Sequence, residues 1–241
     1  MCRVKTFALF ALVASSVFGE AQAQSLRVSP LVIEFSPAAK TAILNVGNDD
    51  KDPVAVQARI FRWTLQNGED HLEKTSDVVV SPPLLNVRPG SQNLIRVVRV
   101  SDRPVEGEES YRLFVEELPN RIKKQANAIT LLSRHSVPVF FDALDARVGD
   151  LSWSAAMSDN KLILQAKNPG QKRLKLSGLR LTDSQSREVA SISGLAGYVL
   201  GGQTKSWELP ATQLHTGAAL SIEAQTEAGP INAKAVVGKS G

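Results

Sequence analysis

The sequence predicts an all-β protein made of two sandwich domains, and three observations predict it. Val54, Val56, Ala58 and Ile60 alternate with Ala55, Gln57, Arg59 and Phe61, the period of a half-buried strand, and shorter runs of the same kind recur along the chain. Clusters of Pro, Gly and Asn separate these runs with turn chemistry. No long helical pattern interrupts them, and short strands at this spacing argue for a β-sandwich.

The chain opens on Met-Cys-Arg-Val-Lys. Thr6 to Phe18 is mostly apolar but shorter than the roughly 20 residues that cross a bilayer. Ala21-Gln22-Ala23 supplies a small-residue cleavage site, so residues 1–24 read as a secretory signal peptide. Cys2 is the one cysteine and leaves with that signal. The mature chain then has no disulfide, thiolate metal site or cysteine nucleophile. Taking 24 from 241 residues leaves 217, enough for one large or two ordinary domains. Removing Arg3, Lys5 and Glu20 from a formal charge of +4 leaves +3. That mild basicity comes without the basic and aromatic stripe of a nucleic-acid binder.

Leu26 to Phe35 reads as a strand interrupted near Pro30, followed by Ala42 to Asn48 and by the alternating run that ends at Trp63. Val78-Val79-Val80 is short. Pro89-Gly90 marks a turn, Pro presetting φ and Gly supplying a positive φ, and Ile95 to Val100 closes the group. Tyr111, Leu113 and Val115 then share one strand face, with Arg112 and Phe114 on the other. Glu117 continues the apolar face, and a carboxylate there needs a partner at the sheet's end, where a second domain would pack. Ala128 to Phe141 is long for a strand and contains Pro138, which cannot donate to a ladder and so belongs on an edge or at a bulge. A long apolar edge is either covered or used to bind another chain by strand addition.

Composition shifts after Phe141, and strand-like segments resume from Asp150, with Asn168-Pro169-Gly170 as a turn. The expected division is residues 25–143 and 144–241.

In this order, Leu44-Asn45-Val46-Gly47-Asn48, Ser81-Pro82-Pro83, Arg88-Pro89-Gly90, Leu94-Ile95-Arg96, Phe114 to Pro119, Val137-Pro138-Val139-Phe140 and Asn168-Pro169 resemble the periplasmic pilus-assembly chaperones, the PapD-like family. The resemblance covers essentially the whole mature chain. It implies two immunoglobulin-like domains at an angle, with a cleft between them. It also implies a periplasmic, non-enzymatic function without cofactor or metal. Such a chaperone lends its edge strand to a pilus or fimbrial subunit that lacks one, then hands the subunit to an outer-membrane usher. Ile129 and Leu131 are the expected donated side chains, or Leu132 if a bulge shifts the register by one.

Val32 and Pro138 stand where the best-known branch has the arginine and lysine that hold the subunit's terminal carboxylate. The chain thus looks like a non-classical branch, and Arg112 and Arg134 are the candidate replacements. The alternative is that both are solvated strand-face charges. Glu117 matches a family position in an interdomain salt-bridge network. An exposed edge favours self-capping of the free chaperone as a dimer.

His71, His135 and His215 are far apart, with no His-Glu-x-x-His spacing, nucleophile elbow or phosphate-binding glycine loop. An enzyme is therefore not the reading. A secreted adhesin or surface-binding sandwich is the alternative, since fold alone does not separate it from a chaperone.

Overall fold

The computed structural model describes residues 26–37, 39–119, 131–159, 161–210 and 214–239. All regular structure in them is strand. β1 (Leu26–Ser29), β3 (Thr41–Asn48), β8 (Gln92–Arg99) and β6 (Val78–Ser81) form one sheet in that order. β2 (Ile33–Phe35), β10 (Arg134–Asp142), β9 (Glu108–Glu117), β4 (Val54–Gln66) and β5 (Glu69–Lys74) form the facing sheet, where β7 (Leu84–Val87) also pairs with β4. The break at Pro30 lets one stretch of chain serve both sheets, β1 antiparallel to β3 and β2 parallel to β10. Between the sheets lie Leu44, Val46, Val56, Ile95, Val97, Tyr111, Leu113, Val115, Val137 and Val139, all buried. Each such side chain contributes about 1.5–3 kcal/mol of hydrophobic stabilisation.

The alternating run in β4 continues past Trp63 to Gln66 and turns back at Asn67 (φ 52°) and Gly68 (φ 82°). Two consecutive left-handed residues make the tight hairpin that Asn-Gly favours. A side chain at position 68 would also strike Ser206 of the second domain.

In the second domain, β14 (Glu188–Val199), β13 (Leu174–Thr182), β16 (Ala219–Thr226), β17 (Gly229–Lys239), β11 (Ser152–Ser158), β12 (Lys161–Lys167) and β15 (Thr204–Pro210) follow one another in hydrogen-bonded order. The series curls so that Leu162, Leu164, Leu176, Leu181, Trp207, Leu220, Ile222 and Val237 share one core. Trp153 stacks on Trp207 at 5.9 Å.

The two domains repeat one polar device. Asn48, at the end of β3, donates through Nδ2 to Asp52 O (2.7 Å) and Val87 O (3.0 Å), and its Oδ1 accepts from Asp50 N (2.9 Å). Asn168, just after β12, donates to Lys172 O (2.9 Å) and Val199 O (3.0 Å) and accepts from Gly170 N (2.9 Å). Both are fully buried, and each closes a turn while tying it to a distant strand. The Asn168 turn also needs a glycine, since a Cβ on Gly170 would collide with the Gly149 backbone.

Candidate functional site: an open strand edge and a cation in the cleft

β10 pairs with β9 along its whole length, but β2 covers its other side only at Val139, Phe140 and Phe141. Among the described residues no strand pairs with Arg134 to Pro138 on that side, and of these Val137 and Pro138 are buried. Glu117 N donates to Ser133 O. In an antiparallel ladder the next pairs bonded to β9 are His135 and Val137, so Arg134, Ser136 and Pro138 direct their backbone groups outward. Pro138 thus sits where a missing N–H costs β9 nothing, as the edge expectation requires. Just before β10, Leu131 is 88% exposed and Leu132 is exposed too. Ile129, the first expected donor side chain, lies outside the described residues.

The outer face of this sheet turns toward the second domain. Trp63 lies opposite Leu72, Phe61 lies opposite Arg112, and Arg112 lies opposite Pro138. Trp63, Phe140, Tyr198 and Leu200 are buried together across the domain boundary, with Val32 and Leu65 packed against them. Val32 therefore supplies packing at the position where the resemblance has a cation.

Arg112 carries the charge instead. Its guanidinium lies 3.7 Å from the Trp63 ring centre and 5.6 Å from that of Tyr198, a stack that stabilises a desolvated cation by about 2 kcal/mol. The side chain is only 16% exposed, and its nearest carboxylate among the described residues is Asp70, at 4.0 Å. Burial pushes the guanidinium below the ordinary arginine range, and Asp70 offsets this only in part. Arginine keeps its proton even so. The cleft thus holds a cation that is stacked on an indole, largely desolvated and 4.0 Å from its carboxylate partner.

Arg134, the other candidate, is brought to a different place. It pairs through Nε with Glu116 Oε1 at 3.1 Å, lies 4.1 Å from the Phe114 ring centre and is 57% exposed. Arg59 bonds the same Glu116. Arg134 lies four positions along β10 from Pro138, which is opposite Arg112, and the two guanidiniums rest on different rings, Trp63 for Arg112 and Phe114 for Arg134.

Glu117 is the last residue of β9. It accepts from Ser133 N at 3.3 Å, at the end of β9 remote from the domain boundary. At the boundary end, Glu108 and Arg173 form a buried ion pair, with 1% and 3% of their side chains exposed. Arg173 bonds Glu34 as well and lies 3.6 Å from the Phe140 ring centre, while Lys172 bonds Asp142. Burial, with Asp142 as a hydrogen-bonding neighbour, pushes the Glu108 carboxyl up to about 7 against the pull of Arg173. Sequence reasoning missed this network. Arg173 looks like a surface charge beside Lys172, and its one clue was its place just after Asn168-Pro169-Gly170.

Two immunoglobulin-like β-sandwiches that meet along a buried boundary define the fold class. Residues 25–142 match the PapD N-terminal domain of the pili and flagellar-assembly chaperones, so the first domain belongs to that family of pilus-assembly chaperones. The chaperone protein PapD of Escherichia coli is 24% identical over 162 residues, 64% of this chain and 65% of that protein. The match thus spans just under two thirds of that relative. Among solved structures, a chain of the CsuC–CsuE chaperone and tip adhesion subunit complex from the archaic Csu pili of Acinetobacter baumannii is similar over 90% of this chain and 100% of its own, with TM-score 0.67 and 22% identity. The complex of SafA pilin with the SafB chaperone of Salmonella enterica matches 87% of this chain and 95% of its own, with TM-score 0.59 and 18% identity. The CupB2 chaperone of Pseudomonas aeruginosa covers 88% and 100%, with TM-score 0.56 and 18% identity.

Proposed function

We propose that this chain is a periplasmic chaperone that captures incomplete pilus or fimbrial subunits by lending them the strand leading into β10. It then delivers them to an outer-membrane usher. The observation that carries this reading is the edge of β10, unpaired from Arg134 to Pro138 among the described residues, bordering a cleft that holds the sheltered Arg112 cation. An incomplete sandwich exposes an apolar groove and two rows of unpaired backbone groups. An edge with outward backbone groups and the apolar Leu131 and Leu132 before it answers both needs. The solved complexes with a pilin and with a tip subunit support the same partner class. Arg112 takes the role of anchor for the subunit's terminal carboxylate, and the apolar Val32 and Pro138 favour a non-classical branch. No nucleotide is required, because a better-fitting strand can displace the lent one.

The test is co-expression with an exported subunit, followed by purification through a tag on the chaperone. Ile129→Asp is expected to abolish subunit recovery while the urea midpoint of the free chaperone stays within error. Arg112→Ala is expected to lower recovery at least tenfold, about 1.4 kcal/mol or more, and Arg134→Ala to leave it near wild type. Undiminished recovery with Ile129→Asp would refute strand donation.

A further inference from the structure

Glu108 and Asp142 lie directly opposite each other on β9 and β10. Asp142 continues the alternation of Ser136 and Pro138, and Ala143 N donates to Gly107 O just beyond it. The two acids therefore form a pair without backbone bonds, where Cα atoms come within about 4.5 Å. Like charges in that position repel. Both side chains are sheltered, at 1% and 20% exposure. Glu34 on β2 is the third carboxylate, and the cations facing them are Lys172 and Arg173 of the second domain, three acids against two bases. Lys172 bonds Asp142 Oδ2, while the buried Oδ1 finds no donor among the described residues, and Arg173 Nη1 stays 3.8 Å from it. On its other side Asp142 lines a cavity of about 190 Å³ together with Lys40, Arg99, Asp102 and Arg103. Arg99 is bonded to Glu109 and Arg103 to Asp77, and Lys40 and Asp102 are exposed.

We propose that Glu108 and Asp142 share one proton, and that this proton fastens the second domain to the first. With the proton in place, Glu108 donates to the Asp142 carboxylate, a charge-assisted bond, and the pair presents a single negative charge on which Lys172 and Arg173 close. When the proton passes to solvent, two carboxylates are left side by side and one oxygen has no donor, which is costly in a sheltered site. Burial, with Asp142 beside it, holds the Glu108 carboxyl up at about 7 against the pull of Arg173. The fastening is therefore complete at lower pH and is lost as pH rises through that value. The cavity beside Asp142 lets the proton exchange with solvent while the domains stay together. This device is independent of the chaperone reading, and it makes the coupling between the domains the quantity that pH sets.

The test follows the side-chain carboxyl carbons of Glu108 and Asp142 by NMR in the mature chain labelled with carbon-13, from about pH 5 to about pH 9. Both resonances are expected to move together, with one midpoint near 7. In Asp142→Asn the Glu108 midpoint should fall by about one pH unit or more, since the competing acid is gone and Arg173 remains. A Glu108 midpoint in the ordinary carboxylate range, or an Asp142 resonance that stays still through the Glu108 step, would overturn the shared proton. The fastening is read from residual dipolar couplings of the backbone amides. Near pH 6 both domains should fit one alignment tensor, and near pH 8.5 they should need two. Glu108→Gln, which keeps a neutral hydrogen-bond donor at every pH, should fit one tensor at both. A single tensor for wild type near pH 8.5, or a loosening with pH that persists in Glu108→Gln, would overturn the fastening. The carboxyl titration needs only the wild-type chain, so it decides the shared proton even where a variant fails to fold.

Discussion

Arg112 shows how one residue acquires a function from its neighbours. On an isolated strand it is a solvent-side charge worth little. Here Trp63 lies under its guanidinium and Tyr198 shelters it, so the charge is held in a cleft with Asp70 at 4.0 Å. The alternation of Tyr111, Arg112 and Leu113 placed it on the right face. Nothing in the local sequence announced Trp63 as its platform, because that contact depends on the register of β4 against β9. Arg134 had the same standing in the sequence and a different outcome, since Glu116, directly opposite on β9, already pairs with it. The paired asparagines make the opposite case, because Asn48 and Asn168 lie in stretches recognisable in the sequence. Asn48→Ala removes one side chain that serves Asp52 O, Val87 O and Asp50 N, and leaves buried backbone groups without a partner. It is expected to cost about 2–4 kcal/mol, read as a lowered urea midpoint, while the conformation of the second domain is retained.

At the scale of elements, strands with a clean period of two were legible and polar ones were not. β4 declared itself through Val54, Val56 and Ala58. β5, with Glu69, Asp70, His71 and Glu73, shows no apolar alternation and is mostly exposed. The Asn67-Gly68 pair was the signal that would have found it. β14 was hidden by its glycines, of which Gly194 and Gly197 adopt positive φ. β10 was legible through Pro138, and its edge position carries a prediction about exchange. In the free chain the Arg134 and Ser136 amides should exchange rapidly, while His135 and Val137, bonded to β9, should be protected. In complex with a client, Arg134 and Ser136 should become protected as well. Amide exchange followed residue by residue by NMR reads this pattern directly. Protection of Arg134 and Ser136 in the free monomer would mean that the edge is already covered.

For the whole molecule, the angle between the domains is held by an apolar cluster and an ionic one. Trp63 and Phe140 meet Tyr198 and Leu200, and beside them Glu34, Glu108 and Asp142 meet Lys172 and Arg173. The ionic cluster was not legible because its members lie up to 139 residues apart in sequence. It makes the molecule sensitive to pH with a defined sign. The Glu108 carboxyl is raised from 4.5 to about 7 in the folded protein, so between those values the folded state holds a proton that the unfolded state has released. Stability from this group is greatest near pH 4.5 and declines as pH rises to about 7, by at most roughly 3 kcal/mol at 1.36 kcal/mol per pH unit. Glu108→Gln should remove that component, and urea midpoints of both proteins at pH 5 and pH 7.5 measure the difference. The decisive experiment recovers the tagged mature protein from the periplasm of its own host and identifies the bound chains by mass spectrometry. A small, β-rich exported chain at near-equal stoichiometry is the expected result. Recovery of the protein alone, from cells shown to be expressing a pilus operon, would contradict it and favour a surface-binding role.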